Sequence, residues 1–533
     1  MKYDLADLDC ILFEVRKLKE NGGNLSVEEA WNDFAFNEDT PLDVKCNRLS
    51  RMKSVVETLS SITKSLESHV ERATAKIVPE ARVTGFASLP DELLARIFDL
   101  YYQDYLVEFY PESCYETNPP PRIVLPKVCK RFRRLAHRLP ALWEIVRLND
   151  NVDDVKFLKT KCQSPRVYIN INLETEVNEV RSFLDATHRH NRWKELNLEF
   201  EDDEWAVRIF KMLDPNAKNA SFDFSSLTSL SISSRGCDAD EDFVPSFFPA
   251  ECCEAFNKWQ MHSLTSLSLT NIIPDSNLSL GDLQEASITL GNPHGMLFEG
   301  TYEWDMGGLG QFILSLNSLH SLTMKFDGAD TANVEEDLVE VGCFRQLSKL
   351  TSLSVIVSGK TEPLVLKQFM EMVGMPKLRR LDLDIHWTRP DEPARYIDAL
   401  LKATPGTIRT LPFVQEASIR IQHSGGMQYS GATMFRALPR LSTLSLATPG
   451  FKLPYFIVYK EEFGCFEDLH TLRLDSCKEH RPLHLVNSLP YKVDQAFVPL
   501  DKLQTLELVG CCGLMGARDE LQTKLGNMLV WKI

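Results

Sequence analysis

The sequence predicts an α+β multidomain chain: a helical N-terminal segment, a short three-helix module, and an irregular α/β solenoid with a parallel sheet. Three observations carry that reading. A six-residue apolar phrase returns eleven times from Trp193 onward. Between Leu49 and Ile77, apolar residues alternate steps of three and four. Between these regions the block "SLPDELLARIFDL" has a helical apolar stripe too broad for one helix to bury alone.

At 533 residues the chain exceeds one ordinary core, unless repeats extend that core in one direction. The net charge of −16 opposes a general nucleic-acid binder and a surface made for anionic membranes. Asp4, Asp7 and Asp9 stand where a secretory signal needs basic residues, and no apolar run approaches the ~18 residues of a spanning helix. Thirteen cysteines are scattered without a C-x-x-C pair, and the doublets Cys252-Cys253 and Cys511-Cys512 are too close for ordinary bridges. Reduced, mostly buried thiols and a cytosolic or nuclear location are the expectation.

Residues 1–78 read as helices. Leu5, Leu8, Leu12, Val15 and Leu18 make one amphipathic face, stopped at Asn21-Gly22-Gly23; Ser26 and Glu29 sit in capping-box positions for a second helix. The third carries Leu49, Met52, Val56, Leu59, Thr63, Leu66, Val70, Ala73 and Ile77, a coiled-coil seam with eight apolar positions of nine. The preceding helices are the nearest partner for that seam, as an intrachain hairpin, and Thr63 and Ala73 weaken it. Dimerisation is the alternative. Pro79 is expected to end the helix and open a linker.

The next unit is placed at 86–148. Ser88 is expected to cap a helix, with Pro90 in its first turn. Leu93, Ile97, Leu100 and Tyr101 form one face; Leu94, Phe98 and Tyr105 widen it. A proline-broken loop follows, and Val128, Phe132, Leu135 and Leu139 then mark a second helical face before Pro140 and Trp143. Between Lys127 and Arg138 lie six basic residues and no acidic one, read either as a solvated face or as steering towards an acidic partner.

Leu89-Pro90, Glu92-Leu93, Ile97-Phe98, Val128-Cys129, Phe132, Leu135 and Pro140-x-Leu142-Trp143 together resemble an F-box, as found in F-box/leucine-rich-repeat proteins of basidiomycete fungi. The similarity covers about 60 residues, and the segment from Tyr102 to Ile123 is longer than the usual connection. An F-box docks the Skp-type adaptor of a cullin–RING ubiquitin ligase. The resemblance implies Leu89, Pro90, Leu93, Ile97 and Val128 as adaptor contacts, and Trp143 closing the module's own core. The alternative is that these residues cap the repeats.

Residues 149–533 hold the repeats. The phrase L-x-x-L-x-L begins at Leu227, Leu264, Leu319, Leu350, Leu378, Leu441, Leu469 and Leu503, with variants from Trp193, Leu283 and Val414. This is the strand signature of leucine-rich repeats. Steps run from 27 residues (Val414 to Leu441) to 37 (Leu227 to Leu264), with one of 19 (Leu264 to Leu283), so several repeats carry insertions. "YINI" from Tyr168 reads as a degenerate first strand, and the tail from Ala517 as a closing helix. Cys477 and Cys511 fall where such repeats commonly satisfy the turning backbone. Alternation sends intervening residues to a concave face: Thr228, Ser229, Ser231, Thr265, Ser266 and Ser268 early, charged residues late. Arg379, Arg380, Asp382, Arg473, Asp475 and Glu507 are the candidate substrate contacts.

No nucleophile elbow, phosphate loop, H-E-x-x-H or metal-ligand spacing is present; "GGLG" at Gly307 lacks a nucleotide-loop context, and His188 and His190 have no co-ligand nearby. The expectation is a non-catalytic receptor without cofactor. It would hold a Skp-type adaptor, and through it a cullin–RING ligase, by the F-box and a protein substrate by the repeats, with no nucleic acid and no membrane. A non-ligase interaction scaffold is the alternative.

Overall fold

The computed structural model describes residues 41–108, 120–172, 174–188, 192–201, 203–215, 222–234, 249–274, 280, 282–291, 302–331, 346–386, 392–402, 409–422, 437–447, 468–476, 503–511, 515 and 518–532. The two predicted helices before residue 41 lie outside them. The chain divides into two compact units, Met1–Leu139 and Pro140–Ile533. The division falls inside the stretch 86–148.

The first unit is helical. Helix α1 (Leu42–Ser88) runs through Pro79, so that proline does not end it. A single interior proline removes one backbone bond, which a helix of 47 residues tolerates. The stop comes from Pro90 instead, because a residue before proline is pushed out of the helical region, and Leu89 is extended at φ −68°, ψ 135°. Ser88 is therefore the last residue of α1 rather than a cap. Helix α2 (Asp91–Glu108) opens with the Leu94 N–H donating to the Pro90 carbonyl at 3.2 Å. It carries the chain to Glu108, up to the expected proline-broken loop, of which residues 109–119 lie outside the described ones. Helix α3 (Pro121–Val128) and helix α4 (Lys130–Ala136) replace the one helix expected over Val128–Leu139. They part at Cys129, whose extended backbone (φ −160°) frees its thiol to accept from the Phe132 N–H at 3.4 Å. Cys129 is exposed, so it caps rather than packs.

The second unit starts with a 3-10 turn, Pro140–Trp143, and a short strand β1 (Ile145–Arg147) that the sequence did not announce. Trp143 is buried edge-on against Phe157, 5.3 Å away in helix α5 (Val152–Lys159). This aromatic contact lies within the second unit. Strands β2 (Arg166–Ile171), β3 (Glu195–Phe200), β4 (Ser229–Ser234), β5 (Ser266–Thr270) and β6 (Glu285–Gly291) follow. Helices α6 (Val177–His188), α7 (Asp203–Met212) and α8 (Ala250–Asn257) connect some of them. A two-stranded aside pairs β7 (Tyr302–Trp304) with β9 (Ala329–Thr331). The array continues through helix α9 (Met306–Ser315), β8 (Ser321–Asp327), β10 (Ser352–Ser358), helix α10 (Pro363–Met372), β11 (Arg380–His386) and helix α11 (Glu392–Leu401). It ends with β12 (Glu416–Gln422), β13 (Thr443–Ala447), β14 (Thr471–Asp475), β15 (Thr505–Val509), helix α12 (Arg518–Leu525) and β16 (Leu529–Lys532).

Fourteen strands form one sheet in chain order, with β7 and β9 outside it, and the pairings are parallel. All eleven apolar phrases supply strands of this sheet, a leucine-rich-repeat-like arrangement. Along the strands that the phrases supply alternate residues are buried, as for Leu353, Val355 and Val357 of β10. Strands β6, β8, β10, β11 and β12 reach seven residues because a third inward apolar residue follows the phrase: Leu290, Phe326, Val357, Ile385 and Ile421. The tail is not all helix; "LVWK" pairs with β15 as the last strand.

Thr228, expected on the open face, donates its hydroxyl to the Lys194 carbonyl at 2.9 Å, and Thr265 to the Thr228 carbonyl at 3.1 Å. Thr351 and Ser442 do the same towards His320 and Gln415. The second letter of the phrase therefore ties one repeat to the last. Other turns also cross repeats. Buried Asn271, in the left-handed region at φ 57°, donates to the Ser234 carbonyl and accepts from the Gly291 N–H. Cys511 donates its thiol to the Leu474 carbonyl at 3.4 Å, whereas Cys477 lies outside the described residues.

Gly359 turns the chain after β10 at φ 63°, and a Cβ there would stand 2.8 Å from the Gly328 nitrogen. Gly359→Ala is therefore expected to destabilise the repeat unit by about 2 kcal/mol, strained in backbone and crowded by the neighbouring turn. The urea midpoint checks it; an unchanged midpoint would refute the strain.

Candidate functional site

Two surfaces gather the candidate residues, one in each unit. In the first, the broad stripe of α2 splits. Leu94, Phe98, Tyr102 and Tyr105 are buried, and Phe98 meets Phe132 of α4 edge-on at 4.8 Å. Leu93 (52% exposed), Ile97 (39%), Leu100 and Tyr101 face outward. Pro90 is exposed and Leu89 half-buried. On α3, Ile123 and Val128 are exposed, Val128 at 58%. The residues that the F-box resemblance assigns to an adaptor are thus largely those left open, while their neighbours on the same helix fill the core.

The start of α2 is held by the basic run. Arg131 donates from Nε and Nη2 to Asp91 Oδ1 at 2.8 and 2.6 Å, and from Nη2 to the Leu89 carbonyl. Arg134 reaches Asp91 Oδ2 at 3.2 Å, and Arg133 donates to the Pro126 carbonyl at 3.0 Å. Half of the six basic residues therefore pair inside the unit, which neither the solvated-face nor the steering reading anticipated. The Arg131 hydrogen bond, helped by the charges of Arg131 and Arg134, holds the Asp91 carboxyl below its ordinary value of 3.8. A lowered carboxylate pKa adds stability above the ordinary value and loses it as the pH falls through the lowered one. The melting temperature gap between the parent and Asp91→Asn, present at pH 6, is expected to close as the pH drops below 3.8. A gap that persists at pH 2 would contradict this.

In the second unit, parallel register aligns the outward residues in rows. Asp382, Ser418, Ser445, Arg473 and Glu507 occupy one row across β11 to β15. Arg380 and Asp475 belong to the flanking rows, and Arg379 is exposed just before β11. Three of the six predicted contacts are thus brought into line by the register. They do not stand as free charges. Arg380 pairs with Asp382 at 2.7 Å, Arg473 with Asp475 at 3.5 Å, and Glu507 with Lys532. The hydrogen bond that Arg380 donates to Asp382 raises the Arg380 pKa above its ordinary value.

Sequence reasoning did not select Arg420, His386 or Lys532 for this face. Arg420 and His386 join Asp384 at 3.0 and 3.2 Å, and Lys532 comes from the unexpected last strand. Outward alternation past the phrase would have found Arg420 and His386 had the strands been read as seven residues long. On β4, β5 and β6 the face is small and hydroxylic, with Ser231, Ser268 and Ser287 in register.

Burial pushes the Cys252 thiol up to about 12 and raises that of Cys162, so both stay protonated at neutral pH. "GGLG" lies in α9, whose N-cap Asp305 accepts from the Gly308 N–H, and serves helix packing: a Cβ on Gly310 would stand 2.8 Å from the Met372 sulfur. His188 ends α6, and His190 lies outside the described residues. Among the described residues no cluster could hold a metal ion, and no helix is long and apolar enough to cross a membrane.

No family model matches the chain, and no curated protein is significantly similar to it. Among solved structures, it is similar to the TLR13–ssRNA13 complex at 14% identity and a TM-score of 0.29, over 74% of this chain and 62% of that one. It is also similar to an LRR protein of Leptospira interrogans at 13% identity and a TM-score of 0.24, over 72% of this chain and 92% of that one. The chain therefore spans less than two thirds of the TLR13 chain. At these scores the likeness carries no argument; the repeat assignment rests on the phrases and the sheet they build.

Proposed function

We propose that this chain is the substrate-recognition subunit of a cullin–RING ubiquitin ligase, with α2 to α4 as an F-box that docks a Skp-type adaptor. The single observation that supports it most is the division of the α2 stripe. A helix that buries Leu94, Phe98 and Tyr105 has met its folding needs, yet it also presents Leu93, Ile97, Leu100 and Tyr101 to water. Outward apolar residues at helical spacing fit a helix-in-groove partner. Leu89, Pro90, Leu93, Ile97 and Val128 are the residues assigned to the adaptor. The repeat sheet would present the protein substrate along its charged rows, and ubiquitin transfer would be accelerated by proximity alone, with no catalytic residue or cofactor in this chain. A cytosolic or nuclear location goes with that role.

The test is capture of the full chain by a Skp-type adaptor with its cullin, beside a variant altered on the outward stripe. Adaptor binding by the parent and not by the variant would support the ligase reading. Absence of binding by either would make the unit structural and leave the repeats as a protein-interaction scaffold without a ligase.

A further inference from the structure

The face that α1 buries only partly overlaps the face its heptad pattern marks: the heptad residues Met52 and Leu59 are half-buried, whereas the others named below are exposed. Val55 and Thr58 are buried, and Ile62 is half-buried beside them. Those residues lie on one side at helical spacing. The heptad positions Leu49, Val56, Leu66 and Val70 are 46–64% exposed on another side. The two helices expected to cover this stripe as an intrachain hairpin lie outside the described residues. From Leu49 to Ala73 the stripe runs about 36 Å, over three heptads.

We infer that the stripe pairs with the same stripe of a second copy of this chain, running antiparallel about a twofold axis at Ser61. The inference is independent of the ligase reading. Heptad letters put Leu49, Val56, Thr63 and Val70 at a, and Met52, Leu59, Leu66 and Ala73 at d. In an antiparallel pair each a residue faces a d residue. The layers become Leu49 against Ala73, Met52 against Val70, Val56 against Leu66, and Leu59 against Thr63, each made twice. Every small or polar residue then meets a larger apolar one. A parallel pair would set Thr63 against Thr63 and Ala73 against Ala73, burying two hydroxyls in one layer and leaving a void in another.

Charge points the same way. Lys53 and Glu67 occupy e positions, both are exposed, and neither has an ion pair among the described residues. The antiparallel alignment sets Lys53 of one copy beside Glu67 of the other, twice. Opposite charges at e positions select both partner and orientation.

Sedimentation velocity of the full chain over a concentration series tests the inference. The parent should move from 60.7 kDa towards twice that mass with rising concentration. Leu66→Glu, at an exposed position, should stay monomeric with unchanged circular dichroism. Lys53→Glu and Glu67→Lys should each raise the dimer dissociation constant about fivefold, and the doubly reversed chain should recover it. A parent that stays monomeric throughout, a dimer that survives Leu66→Glu, or charge reversals without effect or without mutual rescue would each overturn it.

Discussion

A chain carrying Leu93→Glu and Ile97→Glu is expected to lose a hundredfold or more of its affinity for a Skp-type adaptor, with its helical content and melting temperature unchanged. Both residues are outward on α2, one turn apart, so their replacement removes nothing from the core formed by Leu94, Phe98 and Tyr105. In a helix-in-groove interface each would be a desolvated apolar anchor, and truncating such anchors costs about 2 kcal/mol or more. A carboxylate left without a partner in that groove adds to the loss, and about 2.7 kcal/mol is already a hundredfold. Binding to immobilised adaptor reads the effect, and calorimetric melting reads the control. Equal binding by parent and variant would remove α2 from the interface. A fall in melting temperature would mean that the outward stripe has an intramolecular partner.

The second large effect lies in the repeat core. Phe369→Ala is expected to destabilise the repeat unit by about 4 kcal/mol, while Leu364→Ala on the same helix changes it by less than about 1 kcal/mol. Phe369 on α10 is fully buried and meets Phe326 of β8 edge-on at 6.0 Å, whereas Leu364 is exposed. The aromatic pair fixes α10 against the sheet, so its loss leaves a cavity between two layers rather than a gap the surface can close. A chain of this length need not unfold in one step, so hydrogen exchange in β8 and β10 is the better readout. Equal effects from the two substitutions would mean that α10 is not held by its inner face.

The repeats were legible because their signal is cooperative: an apolar residue at each fixed position of eleven phrases specifies an inward side, a register and a neighbour together. The misreadings share a different cause. Each hung on one residue whose local preference was overruled by what lay beyond it. Pro79 has the chemistry of a helix stop, yet the long helix absorbs it and Pro90 sets the boundary. Cys129 looked like a small core residue and proved to be a cap. Strands β1 and β16 have too few residues for alternation to declare itself; their neighbours in the sheet fix them. At the candidate surfaces, the sequence located the outward stripe of α2 and much of one charged row. It could not reveal that Asp382 and Asp475 are already neutralised, because pairing depends on rotamers and on distance across strands.

The row Asp382, Ser418, Ser445, Arg473, Glu507 has a metrical consequence for whatever lies across it. Neighbouring strands stand about 4.8 Å apart, whereas an extended chain advances about 3.4 Å per residue. The two rulers come back into step only after about seven residues and five strand spacings, some 24 Å, more than the four spacings of the row. An extended ligand crossing that row would therefore be gripped at sparse, widely separated points, with the residues between them unread. Recognition of that kind selects a spacing more than a contiguous word.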